Sequence, residues 1–392
     1  MIIAIVVDSY KDRSNGTSMT AFRFARALIE RGHCVRIITT NPTQEESNEQ
    51  SSGEEFYFVK ERYIPIVTEI SHKQHMIFGS PDSHILESAL KDCDIAHFYL
   101  PFALEIAGVH LCRKMKIPYI SAFHLQPQHI SYNMNMNFKW FNAYLFRRFY
   151  KTFYRYTHHI HCPSQLMEEE IQKAGYGGKK FVISNGFQIN RAQSCVKPFD
   201  DTFFHIISVG RFSKEKRQDI LIKAITQSKY ANNIKLHLHG VGPKEQYLRK
   251  LCDKLLINPP EFGFIDNKIL IEKLKCCHLY VHSAEVESEA ISCLEAVSIG
   301  LVPVIADSKI SATTQFALDE RSLFKTNNIA DLSAKIDYWV EHSKEREQMK
   351  EQYAKSASKY ALEKSIDKII NMYEEAITDF TTNPILFEAI NT

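Results

Sequence analysis

LYVHSAEVESEAISCLEAVSIGLVPVIA, residues Leu279 to Ala306, carries a whole strand–helix–strand passage. LYVHS reads as a buried strand and VPVIA as another, with a helix beginning near Ser288–Ala290 between them. Two carboxylates stand eight residues apart, Glu287 in the loop before the helix and Glu295 two turns into it. A helix that starts just past a parallel strand points its free N–H groups at the carboxyl edge of the sheet, where anions bind. A carboxylate at that edge suits a pair of vicinal hydroxyls, such as those of ribose or a hexose.

The same alternation runs outward through the chain. IIAIVV (2–7) is followed by AFRFARALIERG (21–32), where Phe22, Ala25, Leu28 and Ile29 recur at helical spacing, and then by CVRIITT (34–40). DIAHFYL, PYISAFH and HIHCPS continue the first cycle, and a second begins near Phe203 with FFHIISVG. Continuous apolar strands separated by amphipathic helices imply parallel sheets covered on both faces. Two cycles imply two doubly wound domains, 1–190 and 200–365, joined at the polar stretch 188–201. A helical tail, 366–392, is expected to cross back to the first domain.

Composition narrows the class. At 392 residues the chain is long enough for two cores. Hydrophobic residues at 44% and charged residues at 24% describe an ordinary soluble globular protein. A net charge of +2 gives no reason to expect nucleic acid as a partner. Nine cysteines without a Cys-x-x-Cys spacing point to a reduced, cytoplasmic chain. MIIAIVVD lacks a basic lead and reads as a first strand, not a signal peptide. No apolar run approaches the roughly 20 residues that span a bilayer.

Other stretches at strand ends could carry chemistry. After the first strand, Asn15, Gly16 and Thr17 lead into a helix N-terminus. This is either an anion or sugar contact or a turn glycine before a capped helix. In VGRFSKEKRQ (209–218), Arg211 and Lys216 follow a strand. Two cations there fit a phosphorylated ligand, against the alternative of a solvated charged loop. Carboxylates for a sugar, a helix end and two cations at one edge together complement a nucleoside diphosphate sugar.

These segments, with PYISAFH ending in His124, VISNGF (182–187), HGVGPKEQYL (239–248) and GFI (263–265), resemble the retaining GT-B glycosyltransferases of family four over nearly the whole chain. The resemblance implies two Rossmann-like domains facing each other across a cleft. It implies transfer of a hexose from a nucleoside diphosphate sugar, UDP-hexose favoured, with retention and with neither metal nor cofactor. Arg211 and Lys216 would hold the diphosphate, Glu295 the ribose and Glu287 the transferred sugar. His124 would face that sugar from the first domain, and Gly16 would line the cleft. Further donor contacts fall on Ile265, Ala290 and Ile291. The chain departs from the family in having Asn15-Gly16 for a glycine pair, and Ser288-Glu289-Ala290 for Gly-Phe-Gly.

Two metal-like patterns read as structural. Asp92-x-Asp94 lies between a helix and a buried strand, and His158, His159 and His161 lie on a short apolar strand. One stretch bears on the acceptor. NFKWFNAYLFRRFYKTFYRYTHH (137–159) has no acidic residue. As a helix over 138–156 it gathers Arg147, Arg148, Lys151 and Arg155 on one face, with Phe146, Phe149, Tyr150 and Phe153 opposite. Such a helix either lies on an anionic membrane surface or packs its aromatics on the domain. The expectation is a lipid or lipid-linked acceptor at the inner membrane face. The alternatives are a soluble or polysaccharide acceptor, or a nucleotide-sugar binding protein without activity.

Overall fold

The computed structural model describes residues 1–12, 15–40, 53–65, 67–72, 76–188, 199 and 202–383. The expected join at 188–201 falls almost wholly outside them. The chain forms two compact units, one of residues 1–186 with 362–392 and one of residues 187–361.

The first unit holds seven strands: β1 (Ile2–Val6), β2 (Cys34–Thr40), β3 (Glu54–Val59), β4 (Ile95–Phe98), β5 (Tyr119–Ala122), β6 (His159–Cys162) and β7 (Lys179–Val182). They pair in the order β3-β2-β1-β4-β5-β6-β7, and every pair is parallel. Side chains alternate across a strand, so Ala4 and Val6 enter one core cluster while Ile3, Ile5 and Val7 enter another. Both faces are apolar, which is why IIAIVV reads as a continuous run rather than an alternation. Helix Leu362–Thr382 belongs to this unit and buries Ile366, Ile369, Met372, Tyr373 and Ala376 in the second cluster. Tyr373 Oη also lies 2.9 Å from His97 Nδ1 on β4.

The second unit holds six: β8 (Phe204–Val209), β9 (Ile234–His239), β10 (Glu261–Gly263), β11 (Leu279–His282), β12 (Pro303–Asp307) and β13 (Leu323–Lys325). Their order is β10-β9-β8-β11-β12-β13, again all parallel. The opening passage is β11, helix Ile291–Ser298 and β12, as its pattern predicts. Both orders reverse direction beside the first strand of their unit, between β1 and β4 and between β8 and β11. The loops leaving those strands diverge there and open a crevice at the carboxyl edge. Among the described residues no helix is long and apolar enough to cross a membrane. Among the described residues seven cysteines are free thiols. Cys276 is disulfide-bonded, a departure from the expectation of a wholly reduced chain.

Candidate functional site

In the second unit the crevice falls between β8 and β11, and the two loops flanking it carry the residues read from the sequence. Lys216 closes a 3-10 turn after β8, and Glu287 lies in the loop after β11. The Lys216 ammonium is paired with Glu287 Oε1, and their side chains are 16% and 10% exposed. His282 Nε2 lies 3.0 Å from the same oxygen. Burial by itself would raise the Glu287 pKa. The Lys216 charge, joined by His282, outweighs it and holds the carboxyl well below its usual range. Glu287 is therefore ionised throughout the neutral range. Its backbone is tied to the loop after β12, where Ala312 N donates to Glu287 O at 2.9 Å.

Arg211 is half-buried in the same loop as Lys216. Its carbonyl accepts from Gln218 Nε2 at 2.8 Å, which pins the loop to the next helix. The neighbouring β9 loop presses closely on it. A Cβ on Gly240 would stand 2.0 Å from Gly210 O, and φ there is +155°. Glycine is required at that position by both sterics and backbone conformation.

Helix Ile291–Ser298 starts just past Glu287, so Ile291 and Ala290 stand at its N-terminus and Glu295 on its second turn. Ala290 sits in the left-handed region, φ +63°, where the family has glycine. Glu289, which would bring a second negative charge to this edge, is only 2% exposed. Ile265 follows β10 and packs on the core. Arg211, Lys216, Ile265, Glu287, Ala290, Ile291 and Glu295 thus all belong to the second unit, at or just beyond the carboxyl ends of β8, β10 and β11.

A second network adjoins them that the sequence reading missed. Arg217, in the left-handed region at φ +51°, donates from Nη1 to Glu285 Oε1 at 2.6 Å and also contacts Asn327. The signal lay in the basic run around Lys216. Its partners, however, are 68 and 110 residues away.

Gly16 and His124 belong to the first unit. Helix Gly16–Glu30 begins at the glycine, and Asn15 caps it, accepting from Thr17 N at 3.0 Å and Ser18 N at 3.3 Å. Two of the N–H groups offered to an anion are therefore already satisfied. A Cβ on Gly16 would meet nothing within 4 Å, so packing does not demand glycine there. His124, just past β5, is 7% exposed and stacks on Tyr99 with ring centroids 5.2 Å apart. Burial, reinforced by His161, pushes its pKa well below the ordinary value, so the ring is neutral.

The metal-like patterns have structural partners. Asp94 Oδ2 accepts from Ile2 N at 2.7 Å, and His161 Nε2 lies 2.7 Å from Ile183 O. His159 Nε2 is 3.0 Å from Asp379 Oδ2 and 3.9 Å from Glu375 Oε1, and these three ligand atoms lie within 4.8 Å of one another, a grouping that could also hold a metal ion.

The basic aromatic stretch differs from expectation. Its helix runs from Lys139 to Thr152, not to 156. Arg155 lies in the following 3-10 turn, half-buried, with its guanidinium 5.2 Å from the Tyr156 ring centre. It does not share the exposed face. Phe149 and Phe153 are buried in the core, with Phe146 and Tyr150 packed against it. Those aromatics cannot enter a membrane. The exposed ones are Phe138 (53%), Trp140 (65%) and Tyr144 (51%). Trp140, Tyr144, Arg147, Arg148 and Lys151 are spaced to fall on one helix face, all exposed.

Residues 14–191 match the family model described as Glycosyltransferase Family 4, and residues 191–356 match Glycosyl transferases group 1. The chain belongs to this glycosyltransferase family. It is similar to Alpha-monoglucosyldiacylglycerol synthase of Streptococcus pneumoniae, with 23% identity over 322 residues, covering 78% of this chain and 71% of that protein. The catalytic domain of cholesterol-alpha-glucosyltransferase from Helicobacter pylori is 57% identical over 40% of this chain and 99% of its own, with a TM-score of 0.37. Sucrose-phosphate synthase from Thermosynechococcus elongatus is 13% identical over 96% of this chain and 99% of its own, with a TM-score of 0.75, which shows the shared GT-B fold.

Proposed function

We propose that the chain moves a hexose, with retention and without a metal, from a nucleoside diphosphate sugar to a lipid acceptor at an anionic membrane surface. The observation that carries the donor half is the pairing of Lys216 with Glu287 at the β8–β11 crevice. A cation for a leaving phosphate and a carboxylate for sugar hydroxyls stand side by side, and both are largely withdrawn from water. UDP-hexose is the first donor to test. Arg211 and Lys216 stabilise the charge that develops on the diphosphate as the bond to the anomeric carbon breaks. The acceptor oxygen forms its bond on the same face, and its proton passes to the departing phosphate oxygen. Glu287 and Glu295 bind the sugar and ribose hydroxyls, and His124 contributes a neutral ring on the acceptor side. The stripe of exposed aromatics and cations on helix Lys139–Thr152 supports the lipid half, as does the diacylglycerol in the name of the S. pneumoniae relative.

The test is transfer of labelled hexose from UDP-glucose, UDP-galactose or GDP-mannose to dioctanoylglycerol in phosphatidylglycerol vesicles, with and without EDTA. The expected result is EDTA-resistant lipid product from a UDP-sugar, with the donor's anomeric configuration shown by NMR. Transfer to soluble oligosaccharide but not to lipid would overturn the lipid reading, and inverted product would overturn retention.

A further inference from the structure

The first unit has its own crevice, between β1 and β4, and it contains an unexplained carboxylate. Asp8 lies just past β1 and is 2% exposed. Its Oδ1 accepts from Gly79 N at 2.7 Å. Its Oδ2 is buried and has no hydrogen-bond partner among the described residues. A buried acceptor left unmade costs stability, so its retention calls for a reason.

Beneath it lies Glu105, fully buried. Glu105 is the third residue of helix Ala103–Met115, and its carboxyl faces the backbone N–H groups of Phe102 and Asp8, though without a well-aligned bond. Helix position accounts for Glu105. It does not account for Asp8. Two neighbouring buried carboxyls hold a proton between them. Burial, and then the charge of Asp8, hold Glu105 well above the ordinary range, while burial raises Asp8 to about 7. Whichever member holds the proton, Asp8 Oδ2 is the oxygen of the pair that lines the cavity described next and has no hydrogen-bond partner among the described residues.

Asp8 lines a cavity of about 10 Å³ with Asn15, Ser18, Met76, Phe78 and Phe102 among the other walls. That is room for one hydroxyl or water oxygen. Two of the polar walls are already engaged. Asn15 caps its helix, and Ser18 Oγ accepts from Asp12 N at 2.8 Å. Phe78 and Phe102 meet edge to face at 4.8 Å and make that side of the slot apolar. A buried carboxylate oxygen without a partner, in a slot with an apolar wall, fits an alcohol on an apolar body.

We propose that Asp8 is the hydroxyl-binding residue of the acceptor site, taking a hydrogen bond through Oδ2 from the alcohol that is glycosylated. This rests on the transferase reading above. Asp8→Asn keeps the shape and an acceptor for Gly79 N, so it should fold.

Transfer to dioctanoylglycerol and to water is measured side by side for wild type and Asp8→Asn, together with UDP affinity by calorimetry. The expected result is an acceptor KM raised about 10-fold, the effect of losing one buried hydrogen bond, with UDP affinity unchanged. Deleting the free hydroxyl of dioctanoylglycerol should weaken its competition in wild type and make no difference in Asp8→Asn. Unchanged transfer to both lipid and water in the variant overturns the proposal. Wild type that transfers only to water overturns the lipid reading instead, and reduced transfer to water in Asp8→Asn then still upholds the Asp8 assignment. If Asp8→Asn does not fold, a crystal structure of wild type with dioctanoylglycerol decides. A hydroxyl oxygen within hydrogen-bond distance of Asp8 Oδ2 upholds the proposal, and a hydroxyl bound elsewhere overturns it.

Discussion

Glu287→Gln tests the reasoning about the β8–β11 crevice most directly. The substitution keeps shape and removes the charge, leaving the Lys216 ammonium, 16% exposed, beside a neutral amide. Stranding one partner of a fully buried pair costs about 3–5 kcal/mol. Lys216 retains some solvent, so the expected loss is about 2–3 kcal/mol, and Lys216→Met in the same background should restore most of it. Urea unfolding at pH 7 measures this. With a slope of about 2 kcal/mol/M, the midpoint should fall by about 1–1.5 M. The chain has two tryptophans. Trp339 is buried in the second unit and Trp140 is exposed in the first, so a Trp140→Phe background leaves fluorescence that reports the second unit alone. The pH dependence has a fixed sign. A carboxyl whose pKa is depressed on folding stabilises fully above its unfolded value of 4.5, and that stability is lost as pH falls toward the lower folded value. The difference between wild type and Glu287→Gln should therefore be constant from pH 7 to about 5 and shrink below about 4.5. A double-mutant coupling below about 0.5 kcal/mol would refute the pairing.

Two further outcomes are expected. Gly240→Ala should destabilise the second unit by about 2–4 kcal/mol through clash and backbone strain, whereas Gly16→Ala should change stability by less than about 0.5 kcal/mol; equal thermal shifts in the two variants would contradict the contrast between a crowded and an open glycine. The chain should sediment with phosphatidylglycerol vesicles at low salt with a blue shift of Trp140 emission, and Arg147→Gln with Arg148→Gln and Lys151→Gln should lose about 1 kcal/mol per charge removed; Arg155→Gln should have no effect, and a loss as large as that of any of the three would restore it to the docking face.

The sequence alone determined the strand and helix alternation, because apolar runs and helical spacing are local patterns. It also placed Glu287 in a loop and Glu295 on a helix, because a turn rich in polar residues sits between two unmistakable apolar segments. Helix Lys139–Thr152 marks the boundary of that power. Its periodicity defined opposite faces, but periodicity is symmetrical about which face turns inward. Only the packing of Phe149 and Phe153 against the domain decided that Trp140 and Tyr144 share the outer face with the cations, and that Arg155 does not. Strand order was equally hidden, since parallel strands are joined through crossovers whose destinations the local sequence does not encode. That order brings Lys216 to Glu287 across 71 residues and Arg217 to Glu285 across 68. Glu105 shows the last limit. In ALEIAGVH it reads as an ordinary helical glutamate, and burial against Asp8, a property of the assembled unit, is what changes its protonation.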